Sequence, residues 1–271
     1  MAQTGLHTLI SFNIFKNQNK NNWFLYAFLL GSVLPDLDLI FDFLYKLYNI
    51  TINQNNFNLE PYLINKIYLS NYDLNIFHSI ITIALIYLFI LIIFELKKTK
   101  SILNFGNGLT IGLLAHVSID ILLFLRPVQI FWPLNIVGIM PYNIWNNTNI
   151  PFYVITLYLS LEFLFFRLFA SKLIEIILKV KNKDTKYILY LSQWMRIQGL
   201  LFILFIIYFN LYEFSYIVFI FYNICLSISI ATTIFFIFIL RKTINNYFNF
   251  NEDEIVEINA IQRATSIDNI G

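Results

Sequence analysis

Six apolar runs, each long enough to cross a lipid bilayer, leave this chain few ways to fold. A spanning helix needs about 20 mostly apolar residues. Such runs occupy 23–48, 76–96, 106–126, 151–178, 187–212 and 215–240. Hydrocarbon offers no hydrogen-bond partners, so backbone N–H and C=O groups must be satisfied within each run, as they are in a helix. The composition agrees. Of the 271 residues, 58% are hydrophobic and 13% are charged, against roughly 45–50% and about 25% in an ordinary soluble domain. Mean hydropathy is +0.67. The expected fold class is all-α, a multi-pass transmembrane helical bundle of about six spans.

Local signals refine this reading. The first run contains Pro35, Asp36 and Asp38, and proline removes a helix hydrogen bond, so the run is expected to be broken. The last two runs are separated only by Glu213 and Phe214, which implies a tight hairpin. Gln193, Arg196 and Gln198 lie in the first half of the fifth run, and that half is expected at the interface. Residues 4–15 are semi-apolar and too short to span. The polar stretch KNQNKNN (16–22) is expected to turn them back against the first span as a re-entrant helix. Residues 243–271 (with NEDEIVE) form a polar, acidic tail with too little apolar surface to pack. The chain thus divides into a site-bearing membrane part, 1–140, further transmembrane helices, 141–242, and a flexible tail, 243–271.

Short-loop Lys and Arg residues set orientation. Lys16 and Lys20, KKTK (97–100), Lys179 to Lys186, and Arg241 with Lys242 all fall on one side if the chain crosses six times. Both termini are therefore expected in the cytoplasm. MAQTGLHTLISF lacks the basic region of a secretory signal and is expected to be retained. The net charge of +2 implies no nucleic-acid partner. With one cysteine, Cys225, an intrachain disulfide is excluded.

Against this apolar background the polar residues carry the information. The chain has three histidines: His7 in TGLHTLIS, His78 in DLNIFHSI and His116 in GLLAHVSID. GSVLPDLD adds Asp36 and Asp38. Ionisable groups in hydrocarbon are costly unless they pair or bind something. His116 and Asp120 are four apart and share a helix face, a spacing that suits two metal ligands or a ligand and its orienting carboxylate. A plain His–Asp hydrogen bond locking two helices fits that pair equally well. Asp36 and Asp38 follow a proline and would serve as ordinary N-terminal helix residues, but two close carboxylates repel unless a cation sits between them. Asp42 lies one turn beyond Asp38. His78 alone reads as an interfacial residue, and His7 alone as a packing residue.

Depth supports a common site. At about 1.5 Å per residue, His7 lies roughly 14 Å from Lys16, Asp36 roughly 20 Å from Trp23, and His116 about 15 Å into its span. His78 fits less well, because it starts its span near the opposite surface. Imidazole with carboxylate suits Zn, Mn or Fe better than Mg or Ca. Glu162 and Arg167, five apart in the fourth run, read as charge partners of other helices.

The order of these motifs resembles the bacterial membrane-bound metal-dependent hydrolases, also called LexA-binding, inner-membrane-associated hydrolases. That family has an early histidine, a Gly-x-x-x-Pro-Asp-x-Asp cluster, a His-Arg-x-x-Thr-His-Ser stretch, and a His-x-x-x-Asp helix followed by Trp-Pro. Here His7, then Gly31, Pro35, Asp36 and Asp38, then His78 and Ser79, then His116 and Asp120, and finally Trp132 and Pro133 match it in order. The resemblance covers residues 1–140. Asp73-Leu74 stands where the family has His-Arg, and Phe77 where it has Thr. An aspartate at 73 can still ligate a metal, but loss of the arginine removes a group that binds phosphate.

The resemblance implies a hydrolase acting on a lipid or other phosphoester. His7, Asp36, Asp38, His78, His116 and Asp120 would hold one or two divalent ions, Zn or Mn. Asp38 or Asp73 would be the base. A different class of function fits the same residues: a structural or assembly subunit, with the polar cluster as an interhelical network and the C-terminal helices as a surface for membrane-protein partners. A cation carrier fits less well, because the acidic groups cluster near two loops instead of lining successive spans.

Overall fold

A computed structural model describes residues 4–14, 22–41, 43–44, 48, 76–123, 130–131, 133–134, 152–180, 186–211, 216–244 and 246–247. Among them there is no strand, and the protein is a helical membrane bundle. Its helices are α1 (Thr4–Ile14), α2 (Asn22–Gly31), α3 (Ile80–Lys97), α4 (Lys100–Leu123), α5 (Phe152–Val180), α6 (Lys186–Leu211) and α7 (Tyr216–Ile239), with a short 3-10 turn at Leu34–Asp36. Five helical stretches are long and apolar enough to cross a membrane: Trp23–Phe41, Ile80–Lys97, Lys100–Ile121, Lys186–Phe209 and Ile220–Ile239. The run expected as the fourth span forms α5, a 29-residue helix that is not among these five. The proposed hairpin at Glu213 and Phe214, the turn at 16–20 and residues 248–271 of the acidic tail lie outside the described residues. The start of the expected flexible tail is corrected: Thr243, Ile244 and Tyr247 are helical and buried, because Ile244 and Tyr247 pack into the core.

The break in the first span follows from its sequence. Pro35 has no N–H to continue the helix, and α2 stops at Gly31. The N–H of Asp36 then bonds the Val33 carbonyl at 3.1 Å, so the Ser32 carbonyl does not receive the bond it would take in a regular helix. The Ser32 hydroxyl turns back to the Leu29 carbonyl at 2.8 Å. Beyond the turn the backbone is helical again at 37–41.

Glycines set how closely the elements pack. A Cβ on Gly31, Gly108 or Gly112 would collide with the backbone of the opposite helix: Leu109 for Gly31, Phe24 for Gly108, and Phe28 for Gly112. The backbones of α2 and α4 therefore touch, as small residues four apart allow in membrane helices. At Gly5, a Cβ would lie 2.6 Å from the Phe165 carbonyl carbon and 2.7 Å from the Phe166 nitrogen. The short N-terminal helix was expected against the first span. It lies mainly on α5, because Gly5 allows backbone contact there, and touches α2 and α4 to a lesser extent.

Two apolar clusters surround this frame. An aromatic one joins Phe12, Phe24 and Phe28 to Phe163, Phe166, Phe169, Trp194, Phe205 and Tyr222, and so runs through both halves of the chain. A smaller one packs Ala27, Ile83, Ile90, Leu109, Leu113 and Val117 between α2, α3 and α4. α3 turns Leu85, Leu88, Phe89, Ile92 and Leu96 outward, and α6 and α7 do the same with Leu200, Ile203, Ile207, Ile228 and Phe235. Such exposed apolar faces suit lipid. In the first half of α6, Gln193 and Arg196 are exposed and Gln198 is turned inward. Gln198 is buried and its amide donates to Ser229 Oγ of α7 at 2.9 Å, because the neighbouring helix supplies a polar partner inside the bundle.

Replacing Gly112 with leucine is expected to push α2 from α4 and to cost about 1–3 kcal/mol through overpacking. Reversible unfolding of the full chain in detergent measures this, and an unchanged midpoint would contradict the backbone contact.

Candidate metal centre

Five separate segments deliver the polar residues to one place. His7 comes from α1, Asp36 from the 3-10 turn, Asp38 from the residues after it, and His78 from the turn before α3. His116 and Asp120 come from α4. All six are buried, between 0 and 3% exposed. On α4, Gly108, Gly112, His116 and Asp120 follow at steps of four, so the face that admits α2 also carries the two site residues.

The distances are short. His7 Nε2 lies 3.3 Å from Asp120 Oδ1, and His78 Nε2 lies 3.2 Å from Asp120 Oδ2. His116 Nε2 lies 3.5 Å from Asp120 Oδ2 and 3.7 Å from Asp36 Oδ1. The rings of His7 and His116 stack with centroids 3.7 Å apart, and that of His78 meets His116 edge-on at 5.1 Å. Two groups offer donor atoms all within 4.8 Å of one another: His7, Asp36 and His116, and His78, His116 and Asp120. His78, placed by its span at the opposite surface, is thus brought to the others. The turn that carries it is tied to residue 130, where the Ile80 N–H bonds the Ile130 carbonyl at 2.8 Å and the Ser79 hydroxyl bonds it at 3.2 Å. Ser79 also caps α3, accepting from the Ile81 N–H at 3.2 Å.

Second-layer contacts fix which nitrogen faces the centre. His116 Nδ1 lies 2.8 Å from the Ser32 carbonyl oxygen. A carbonyl only accepts, so Nδ1 donates to it and Nε2 is the nitrogen turned to the carboxylates. That free carbonyl exists because Pro35 broke the helix. His78 Nδ1 lies 3.1 Å from Asp38 Oδ2, which also accepts the Phe77 N–H at 2.9 Å. Asp38 therefore stands behind His78, as carboxylates do behind metal-ligating histidines. The Nε2 atoms of all three histidines have carboxylate oxygens as their polar neighbours, and both oxygens of Asp36 make no hydrogen bond. Because His116 has one free nitrogen, the two groups share it and one ion at most can use it. Asp42, Asp73 and Trp132 lie outside the described residues. Pro133 is described and exposed, away from the buried set.

A seventh residue of this region was not assigned from sequence. Glu162 of α5 is buried, and its carboxylate accepts hydrogen bonds from the Thr4 hydroxyl and from the Thr4 and Gly5 N–H groups at the start of α1. The Asp36 carboxylate is close enough to act on it electrostatically. Arg167, by contrast, is exposed. The available signal was an acidic residue in an apolar run; nothing local said which helix it would meet.

A family model described as YdjM inner membrane protein matches residues 2–224. The chain belongs to the YdjM inner membrane protein family. This membership and the apolar helices assign it to a membrane. The match runs past residue 140 and takes in α5 with Glu162. No curated protein and no solved structure matches the chain.

Asp120→Ala removes the carboxylate that faces all three imidazoles. It is expected to destabilise the protein by about 3–5 kcal/mol, the loss seen when one member of a buried charged set is deleted. Denaturant unfolding in detergent tests this, and a loss below 1 kcal/mol would show that the network holds nothing together.

Proposed function

We propose that the buried cluster holds one or two divalent ions and that the protein is a membrane-embedded metal-dependent hydrolase acting on a phosphoester, with a lipid as the favoured substrate. The observation that carries the reading is the His116 arrangement. Its Nδ1 donates to the Ser32 carbonyl, so Nε2 is the nitrogen that faces carboxylate oxygens of Asp120 and Asp36 at 3.5 and 3.7 Å. Buried carboxylates that converge in this way repel each other unless a cation lies between them. His7 Nε2, His78 Nε2 and the Asp36 oxygens converge on the same place.

The donor set fits the group. Neutral imidazoles with carboxylates suit Zn or Mn, and His7, Asp36, His78, His116 and Asp120 would hold it. Such an ion supplies a Lewis acid and brings the pKa of a water from 15.7 to about 7. Asp38 Oδ2 orients His78, while Asp38 Oδ1 is buried without a hydrogen-bond partner and is placed to take a proton. The membrane bundle around the site, with α3, α6 and α7 open to lipid, favours a lipid phosphoester over a soluble one. The hydrolytic chemistry itself rests on the motif resemblance.

The alternative is a structural network, supported by the bonds His116–Ser32 and His78–Asp38, which tie α4 and the α3 turn to the broken first span. Metal analysis of the purified full chain separates the two. Wild type is expected to carry about one or two equivalents of zinc or manganese, and His116→Ala to lose it; equal, negligible metal in both would sink the metal reading. In the same assay Asp38→Ala is expected to weaken binding by about 10–100-fold while leaving the ligands in place.

A further inference from the structure

We infer that Glu162 is a positioning residue for the metal cluster: from α5 it clamps the N-terminus of α1 and thereby sets His7. The inference rests on the metal reading of the cluster. A helix leaves its first four N–H groups without internal partners, and burying them unsatisfied is costly. Thr4 and Gly5, the first residues of α1, are both buried. The Glu162 carboxylate meets their two N–H groups and the Thr4 hydroxyl. Its negative charge also suits the partial positive charge at a helix N-terminus.

The position of α1 needs such a contact. It has 11 residues, too few to hold a helix in isolation, so its place is decided by what it packs on. Gly5 brings its backbone against Phe165 and Phe166 of α5, one turn from Glu162. Thr8 closes the turn from within, its hydroxyl donating to the Gly5 carbonyl at 2.7 Å. His7 lies three residues beyond Thr4, in the turn so anchored. Among the described residues Glu162 is the only buried charged side chain of α5. It belongs to neither donor group, so it acts through α1 and not as a ligand.

Zinc affinity of the full chain in detergent, read by competition with a chromophoric chelator, tests this with a double-mutant cycle. Glu162→Ala is expected to weaken zinc by on the order of tenfold, as loss of a supporting contact does, and His7→Ala to weaken it also. The combined variant is expected to bind no more weakly than His7→Ala alone, because the clamp matters only through His7. Glu162→Gln, which keeps an oxygen for the N–H groups, is expected to bind more tightly than Glu162→Ala. Wild-type affinity in Glu162→Ala, losses that add in the double variant, or a Gln variant as weak as the Ala variant would each overturn the assignment. A wild-type chain that takes up no zinc at all defeats the metal reading itself, and the inference with it, which is a separate result from a zinc-binding chain indifferent to Glu162.

Discussion

The backbone contact between α2 and α4 is the constraint on which the rest depends. Lipid tails are as apolar as leucine, so membrane helices gain little from hydrophobic association and rely on close packing. Gly31, Gly108 and Gly112 provide it by removing the side chains that would keep the helices apart. The register of that contact then decides the chemistry. His116 lies one step of four beyond Gly112, so it reaches the break in the first span just where the Ser32 carbonyl is free. A contact displaced by one turn would leave the imidazole facing a helix with no spare acceptor.

A second theme is the use of broken regularity. Pro35 interrupts a span and so exposes a carbonyl that a continuous helix would consume. That carbonyl accepts from His116 Nδ1 and so leaves Nε2 to face Asp36 and Asp120. A backbone irregularity thus sets the orientation of an imidazole. His78 obeys the same logic, with Asp38 in place of the carbonyl. Both orienting groups come from the segment 32–38, which places one acidic donor forward, Asp36, and keeps another behind, Asp38.

Much of this was legible in the residues. The long apolar runs announced helices, and Pro35 announced the break, because both signals are local. The histidines and Asp36, Asp38 and Asp120 stood out because ionisable groups are rare in such surroundings. What local reasoning missed was the choice of neighbours. Depth along a span suggested that His78 was misplaced, yet the tie to Ile130 and the pairing with Asp38 bring it in. Nothing near Gln198 in sequence named its partner, Ser229 on another helix, which satisfies its amide inside the bundle. Glu162 was read as a charge in search of a cation, when its partners are N–H groups that no side-chain pattern displays. In each case the deciding partner is distant in sequence.

The seat of α1 on α5 bears on how such a site can be passed between chains. Every donor in the cluster lies between His7 and Asp120, so the motifs suggest a cassette that ends before the later helices begin. The surface that receives the first histidine's helix, however, belongs to residues beyond 150: Phe165, Phe166 and Glu162. A chain cut after α4 would keep every ligand and lose the bearing on which one of them turns. Ligand inventory and structural completeness therefore have different boundaries in this protein, and the second extends further along the chain.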